Sequence, residues 1–349
     1  MGVSSTKPNK ASGEENGIMT LIVDKIGAAF PLDGYDNGPD YGKYQMVPLD
    51  GTRTLTIKTD KLPVDVEVSK SNARAILIGR FRKKDGSPIP GIEPSRMAND
   101  TVFRIPAGTE AQFDVKGQAF ANAFISVNEV SGGDDITFSD GIIIGVKPKI
   151  TKKVAFVYFS DMRGDVKSLF TAKGINPRDV MAKANTSFLS QLNLELQELE
   201  PGKPIDEVKS ARDFGSPINV DAIMAPEKDK ASFVMTSEVF TNFPRLFPRT
   251  HFVFLLTRPV TSKSQSDVID VNIRFATNTN VIFFTPSTSN VDETMKAFMH
   301  ETGHACGAQH VTARASIMFP HLGPSLTMRF LGEHIESVHN VGPVFPLAI

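Results

Sequence analysis

Short runs of alternating apolar and polar residues recur through the first part of the chain. Val64, Val66 and Val68 alternate with acidic residues, and a period of two is typical of a half-buried strand. Turn-rich stretches such as DGSPIPG (85–91) separate further apolar runs. Many short strands at this spacing predict an all-β domain, an immunoglobulin-like sandwich. The further runs lie at 74–79, 101–105, 111–115, 123–127 and 141–146.

One tyrosine-rich stretch in this region does not follow the strand pattern. PLDGYDNGPDYGKY (31–44) contains three of the four tyrosines of the chain, together with many residues that favour turns. Its acidic residues do not have the spacing of a calcium-binding loop. The sequence therefore predicts a surface loop here rather than a metal or sugar site.

The pattern changes after the basic segment KPKITKK (147–153). We place a domain boundary there, so that the prediction is a disordered arm at 1–17, a β-sandwich domain at 18–149 and an α/β domain at 150–349. The α/β prediction rests on longer elements, because strands alternating with helical patterns are typical of parallel sheets.

The elements of the second domain differ in how deeply they should be buried. KVAFVYFS (153–160) and HFVFLLTR (251–258) are continuous apolar runs, as expected for strands covered on both faces. A long helix is predicted from Asn176, a good capping residue, to about Leu199. VIDVNIRFA (268–276) alternates instead, which predicts a half-exposed strand at the edge of the sheet.

Charge and composition narrow the classes of partner. The net charge is −1, which gives no indication of nucleic-acid binding. No apolar run approaches the roughly 20 residues of a membrane span. The single cysteine, Cys306, can form no intrachain disulfide. Because residues 1–17 lack the apolar region of a Sec signal peptide, the location stays open between the cytoplasm and export by a non-classical or dedicated route.

The stretch FMHETGHACGAQH (298–310) contains three of the seven histidines of the chain. His300 and His304 are four residues apart, so a helix would project both rings from one face. Two imidazoles placed in this way can share a zinc ion at about 2.0–2.1 Å. Glu301 follows the first histidine and would reach a water at the metal without ligating the ion. The spacing therefore predicts one catalytic Zn²⁺ ion.

A catalytic zinc site usually takes a third protein ligand. His310 can supply it only if the chain turns back, because a continuing helix would carry this residue past the metal. Gly307 is suited to end the helix, since glycine accepts the left-handed conformation that such a turn often requires.

The full pattern from His300 to His310, HExxHxxGxxH, resembles the metzincin clan of zinc peptidases. Met318, in ASIMFP (315–320), is similar to the methionine of the metzincin Met-turn, and its spacing is closest to the matrixins. The resemblance implies a zinc endopeptidase with Glu301 as general base, built on a mixed, mostly parallel sheet with an active-site helix. It does not extend to the N-terminal half.

The resemblance also implies where a protein or peptide substrate would bind. An extended substrate would pair with the edge strand 268–276, in which Ile269, Val271 and Ile273 share a face. The segment that begins with His321 and Leu322 would form the wall of the pocket just after the cleaved bond.

A second function stays open at this point. The chain could be a non-catalytic, zinc-containing binding or targeting protein whose β-sandwich recognises a protein or a glycan. The intact Glu301 favours catalysis, and structural zinc sites usually have four protein ligands. For a peptidase, the N-terminal domain would be a docking, delivery or inhibitory module.

Overall fold

A computed structural model provides the three-dimensional structure of the chain. It describes residues 19–23, 33–38, 42–59, 65–79, 81–89, 102–105, 110–130, 136–209, 213–219, 250–262, 265–268, 270–274, 280–285, 291–314, 316–320 and 329–340. The described part is mostly β with mixed sheets and four helices, so the prediction of a β-rich N-terminal half followed by mixed α and β elements is confirmed. The predicted arm at 1–17 lies outside these residues.

Ten strands lie in the described residues before the predicted domain boundary. They form two sheets, of four strands in the order β1-β4-β8-β6 and of six in the order β2-β3-β10-β9-β5-β7. In chain order they are β1 (Met19–Val23), β2 (Tyr35–Gly38), β3 (Gly42–Pro48), β4 (Thr52–Thr59), β5 (Asp65–Lys70), β6 (Ile76–Ile78), β7 (Val102–Ile105), β8 (Ala111–Gly117), β9 (Asn122–Val130) and β10 (Ile136–Lys147).

The two sheets share one apolar core. Leu55 and Phe113 from the first sheet and Val68, Ile125 and Ile144 from the second belong to a single buried cluster. Alternate residues of β4, β5, β6, β8, β9 and β10 supply this core, as the period of two predicted. Among the described strand pairs of this half, all are antiparallel except β3 with β10, which run parallel.

The predicted loop at 31–44 is wrong where the structure describes it. Residues Tyr35–Gly38 form β2 and pair antiparallel with β3, which begins at Gly42. Tyr44 is fully buried. Glycines and acidic residues favoured a loop locally, but pairing of β3 with the distant strand β10 determines the conformation.

The remaining elements come after β10 along the chain. The strands are β11 (Ile150–Ser160), β12 (Leu194–Glu198), β13 (Asp206–Lys209), β14 (Ile218–Asn219), β15 (Thr250–Leu255), β16 (Val260–Ser262), β17 (Gln265–Val268), β18 (Asp270–Arg274) and β19 (Asn280–Phe284). The helices are α1 (Val166–Ala172), α2 (Pro177–Leu192), α3 (Val291–Ala305) and α4 (Gly332–Asn340).

The main sheet of this half has the strand order β12-β11-β15-β19-β18, and β13 also pairs with β11. Its pairings are parallel except that β18 runs antiparallel to β19. The predicted mixed, mostly parallel sheet is therefore observed, and β18 lies at its edge among the described strands. A separate small sheet has the order β14-β16-β17.

The predicted helix from Asn176 to Leu199 is too long. Asn176 caps α2 as expected, and its side chain accepts a hydrogen bond from the Arg178 amide. The helix ends at Leu192 because Asn193 takes a left-handed conformation with φ of 49°. Leu194 and Leu196 then alternate with polar residues in β12, a period that belongs to a strand rather than a helix.

The two halves of the chain contact each other through buried side chains. Tyr44 and Met46 of β3 belong to the apolar cluster of the second half, where they join Phe188 and Leu192 of α2. The boundary near 150 stays a prediction. No helix in the described ranges is long and apolar enough to cross a membrane.

Candidate metal centre

Helix α3 carries the first part of the predicted site. One face of it is buried against the core through Met295, Phe298 and Met299. The helix lies beside α2 and beside strands β18 and β19. Its position brings the edge of the main sheet next to the helix that carries His300 and His304.

The end of α3 has the geometry that returns the chain toward the histidines. Gly307 has a φ of +106°, its amide donates to the His304 carbonyl at 2.9 Å, and the Ala308 amide donates to the Gly303 carbonyl at 2.9 Å. These two hydrogen bonds form a Schellman motif, which ends a helix at a left-handed residue. The chain reverses here and leads to His310.

The three histidines converge on one point. The Nε2 atom of His304 lies 3.1 Å from that of His300 and 3.0 Å from that of His310, and the remaining pair is separated by 3.2 Å. His300 is buried, His304 is half-buried and His310 is exposed. The group therefore has a protected side and a side that solvent reaches.

Backbone carbonyls orient two of the rings. His300 Nδ1 donates to the Ile317 carbonyl at 2.7 Å, and His304 Nδ1 donates to the Ala308 carbonyl at 2.8 Å. A carbonyl can only accept, so each neutral ring carries its proton on Nδ1 and presents an Nε2 lone pair to the centre. Hydrogen bonds of this kind commonly orient metal-ligating histidines.

The charge state of the rings fits metal binding. Burial lowers the pKa of His300 to about 4 and also lowers the pKa of His304, so both imidazoles are neutral at pH 7. Neutral rings with converging lone pairs repel each other, and a hydrogen on His310 Nε2 could bridge to only one of them. A cation at the centre relieves this repulsion.

The spacing of the three nitrogens also fits a small tetrahedral ion. Ligands at about 2.0–2.1 Å from a tetrahedral zinc lie about 3.3 Å from each other, close to the observed 3.0–3.2 Å. The group formed by His300, His304 and His310 could thus hold a metal ion, with a fourth direction left for another ligand.

Glu301 lies next to His300 on α3 and is buried. Burial raises the pKa of its carboxyl group to about 7. A cation at the neighbouring histidines would favour the ionised form. A carboxylate whose pKa lies near the working pH is suited to accept a proton and later return it.

Met318 packs directly beneath the histidine helix. A tight turn at residues 316–319 is closed by the Phe319 amide, which donates to the Ser316 carbonyl at 3.2 Å. The Met318 side chain is fully buried, and its sulfur would lie 2.6 Å from a Cβ atom added to Gly303. The same turn holds the Ile317 carbonyl that accepts from His300, so the turn and the helix form one unit.

The close approach at Gly303 gives a stability prediction. In Gly303→Ala the new methyl group would meet Met318 Sδ at 2.6 Å and Phe330 Cε1 at 3.2 Å. Overpacking of this kind costs roughly 1–3 kcal/mol, more than the gain of up to about 1 kcal/mol from replacing a helical glycine. We expect a lower free energy of unfolding in urea. Adding Met318→Ala should make the two effects less than additive, whereas a Gly303→Ala protein more stable than wild type would contradict this packing.

The structure does not describe all the residues predicted to bind substrate. Val271 and Ile273 lie on β18, the edge strand beside α3, but their side chains are not described. Ile269, His321 and Leu322 lie outside the described residues. The zinc-site residues His300, Glu301, His304, Gly307, His310 and Met318 are all described and lie in one region of the second half.

Sequence reasoning missed the groups that hold the histidines. Two are the carbonyls of Ile317 and Ala308, which have no sequence signature because every residue carries one. Another is His334 on α4, which is buried and whose Nε2 lies 3.2 Å from the Gln309 carbonyl. Its contact with the Gln309 carbonyl depends on the fold rather than on any local motif.

No protein-family model matches the sequence, and no curated protein matches it. Among solved structures, domains 4 and 5 of the S-layer protein SbsC match at 15% identity, with 38% of this chain and 53% of that one covered and a TM-score of 0.19. A family 123 glycoside hydrolase from Clostridium perfringens matches at 9% identity, covering 51% and 36%, with a TM-score of 0.21. The human F-spondin reeler domain matches at 9% identity, covering 39% and 95%, with a TM-score of 0.22. The chain spans about half the length of the SbsC fragment, and similarities this low carry no functional argument.

Proposed function

We propose that the protein is a zinc-dependent endopeptidase with a metzincin-like catalytic domain after an immunoglobulin-like sandwich. The observation that carries the proposal is the convergence of three histidine nitrogens at 3.0–3.2 Å beside a buried glutamate. A zinc ion held by His300, His304 and His310 would lower the pKa of a coordinated water and polarise a carbonyl group.

Glu301 has the role of general acid and base in this proposal. It would take the proton from the attacking water and deliver it to the nitrogen of the leaving amine, so that the peptide bond is hydrolysed and the carboxyl group is regenerated. The raised pKa of about 7 suits both transfers, because the group can exist in either form near neutral pH.

The edge strand β18 supplies a surface for an extended substrate. A peptide that added to this edge would gain main-chain hydrogen bonds, and side-chain pockets would give selectivity. We assign substrate contacts to Ile269, Val271 and Ile273 along the strand, and to His321 and Leu322 after the turn that carries Met318.

Removal and return of the metal test this function. Full-length protein should contain one zinc per chain and cleave an unstructured protein substrate. A strong chelator should abolish cleavage while circular dichroism stays native, and one equivalent of zinc should restore it. Undiminished cleavage by demonstrably metal-free protein would overturn the proposal.

A further inference from the structure

Three strands of the N-terminal half make hydrogen bonds and ion pairs with the segment that begins at Arg329 and continues into α4. Asp36 of β2 accepts hydrogen bonds from Arg329 Nη2 at 2.6 Å and from the Gly332 amide at 2.9 Å. Glu336 of α4 accepts from Tyr44 Oη at 2.8 Å and from Lys147 Nζ at 2.7 Å. All these partners come from β2, β3 and β10, so one sheet contacts this segment both at its start and within α4.

These contacts are buried rather than superficial. The Asp36 side chain is 3% exposed and that of Lys147 is 2% exposed. Removing one partner of a buried ion pair leaves the other charge without compensation. The N-terminal sheet therefore contributes to the position of the segment, together with Gln191 of α2, which accepts a hydrogen bond from the Phe330 amide at 2.8 Å.

The same segment reaches His300 through two backbone hydrogen bonds. The Arg329 carbonyl accepts from the Ile317 amide at 2.9 Å, and the Ile317 carbonyl accepts from His300 Nδ1 at 2.7 Å. Phe330, fully buried, also lies beneath α3 at Gly303. A shift of Arg329 would thus be transmitted to the ring that presents the first lone pair.

A second connection leads from α4 to the residue before His310. The Leu331 amide donates to His334 Nδ1 at 2.9 Å, which leaves the ring proton on Nε2. That nitrogen donates to the Gln309 carbonyl at 3.2 Å. His310 is exposed and lies beyond the end of α3, so this contact supports a ligand that the helix itself does not hold.

We infer that the N-terminal sheet positions the metal-binding histidines, with Asp36 as a positioning residue that acts through Arg329 and Gly332. The inference rests on the proposed metal site and assigns the N-terminal half a direct part in it. Groups that orient histidine ligands affect metal affinity and geometry, so loss of Asp36 should weaken metal binding although Asp36 touches no ligand.

The test compares two aspartates in the full-length protein. Asp36→Ala breaks the pair with Arg329, and the control Asp114→Ala breaks a more exposed pair with Arg82 inside the N-terminal half. Zinc affinity is measured by chelator competition, and the visible absorption of the Co²⁺-substituted protein reports ligand geometry. We expect Asp36→Ala to weaken zinc binding by up to about tenfold and to change the cobalt spectrum. Asp114→Ala should keep both.

If Asp36→Ala does not fold, a milder variant tests the positioning role of Asp36. Asp36→Asn keeps the shape and one acceptor for the Gly332 amide but loses the charge opposite Arg329, so zinc affinity should fall in the same direction. Wild-type affinity and cobalt spectrum in a folded Asp36 variant would overturn the inference. Failure of the wild type to bind zinc would instead overturn the proposed function.

Discussion

Glu301→Gln is expected to slow peptide hydrolysis by several orders of magnitude and to leave zinc bound. The side chain keeps its size but can no longer take a proton from the attacking water. Loss of a general base typically lowers the rate by roughly 10²–10⁴-fold. The measurement is the rate of cleavage of an unstructured protein at saturating zinc, with the zinc content determined on the same sample.

Glu293→Gln is the matched control, because it makes the same change in the first turn of the same helix. It should cleave at the wild-type rate. Equal rates for Glu301→Gln and wild type would remove Glu301 from the mechanism. A loss of zinc from Glu301→Gln would show that its effect is on the site rather than on proton transfer.

The folding stability of the zinc-free protein tests the raised pKa of Glu301 independently of catalysis. An unfolded glutamate has a pKa of 4.5, and burial raises that of Glu301 to about 7. Between these values the folded state keeps a proton that the unfolded state has released, so this group lowers stability as the pH rises through the window. Glu301→Gln removes the effect and should be more stable than wild type at pH 8, by up to about 3 kcal/mol, with little difference at pH 4.5.

His310→Ala is expected to cause a large loss of zinc affinity, although the side chain it removes is exposed. It removes one of three nitrogens while α3 and its two histidines remain. The loss should exceed the roughly 10–100-fold effect of removing a hydrogen bond to a ligand. Competition with a chelator of known affinity measures it.

Gln309→Ala provides the control for this loop. Its side chain is exposed, and the substitution keeps the backbone carbonyl that accepts from His334. Zinc affinity should therefore stay close to wild type. If His310→Ala binds zinc as tightly as Gln309→Ala does, His310 is not a ligand.

The local sequence predicts the site best within the motif from His300 to His310, because this short segment contains all three histidines and Gly307. The four-residue spacing of His300 and His304 predicts rings on one face of a helix, and Gly307 accounts for the turn that follows. These features depend on helix geometry and on the permissive backbone of glycine. They could be read without knowledge of the rest of the fold.

The support of the site could not be predicted in this way. Asp36 and Tyr44 lie in a stretch that glycines and acidic residues marked as a loop, yet both belong to paired strands and contact residues nearly 300 positions away. Non-local pairing of β3 with β10 overrides the local tendency there. The early end of α2 has a similar explanation, because a left-handed Asn193 and the strand β12 replace the predicted last turns.

Mapping newly formed N-termini by mass spectrometry tests directly whether the protein hydrolyses peptide bonds. A complex mixture of denatured proteins is incubated with full-length wild-type protein and with Glu301→Gln, both loaded with zinc. We expect new internal N-termini from the wild type alone, and the residues around them would define its specificity. Equal sets of termini from both proteins would contradict a role for Glu301 in the reaction. No new termini from a wild type that holds its zinc would contradict peptide hydrolysis and favour a non-catalytic binding protein.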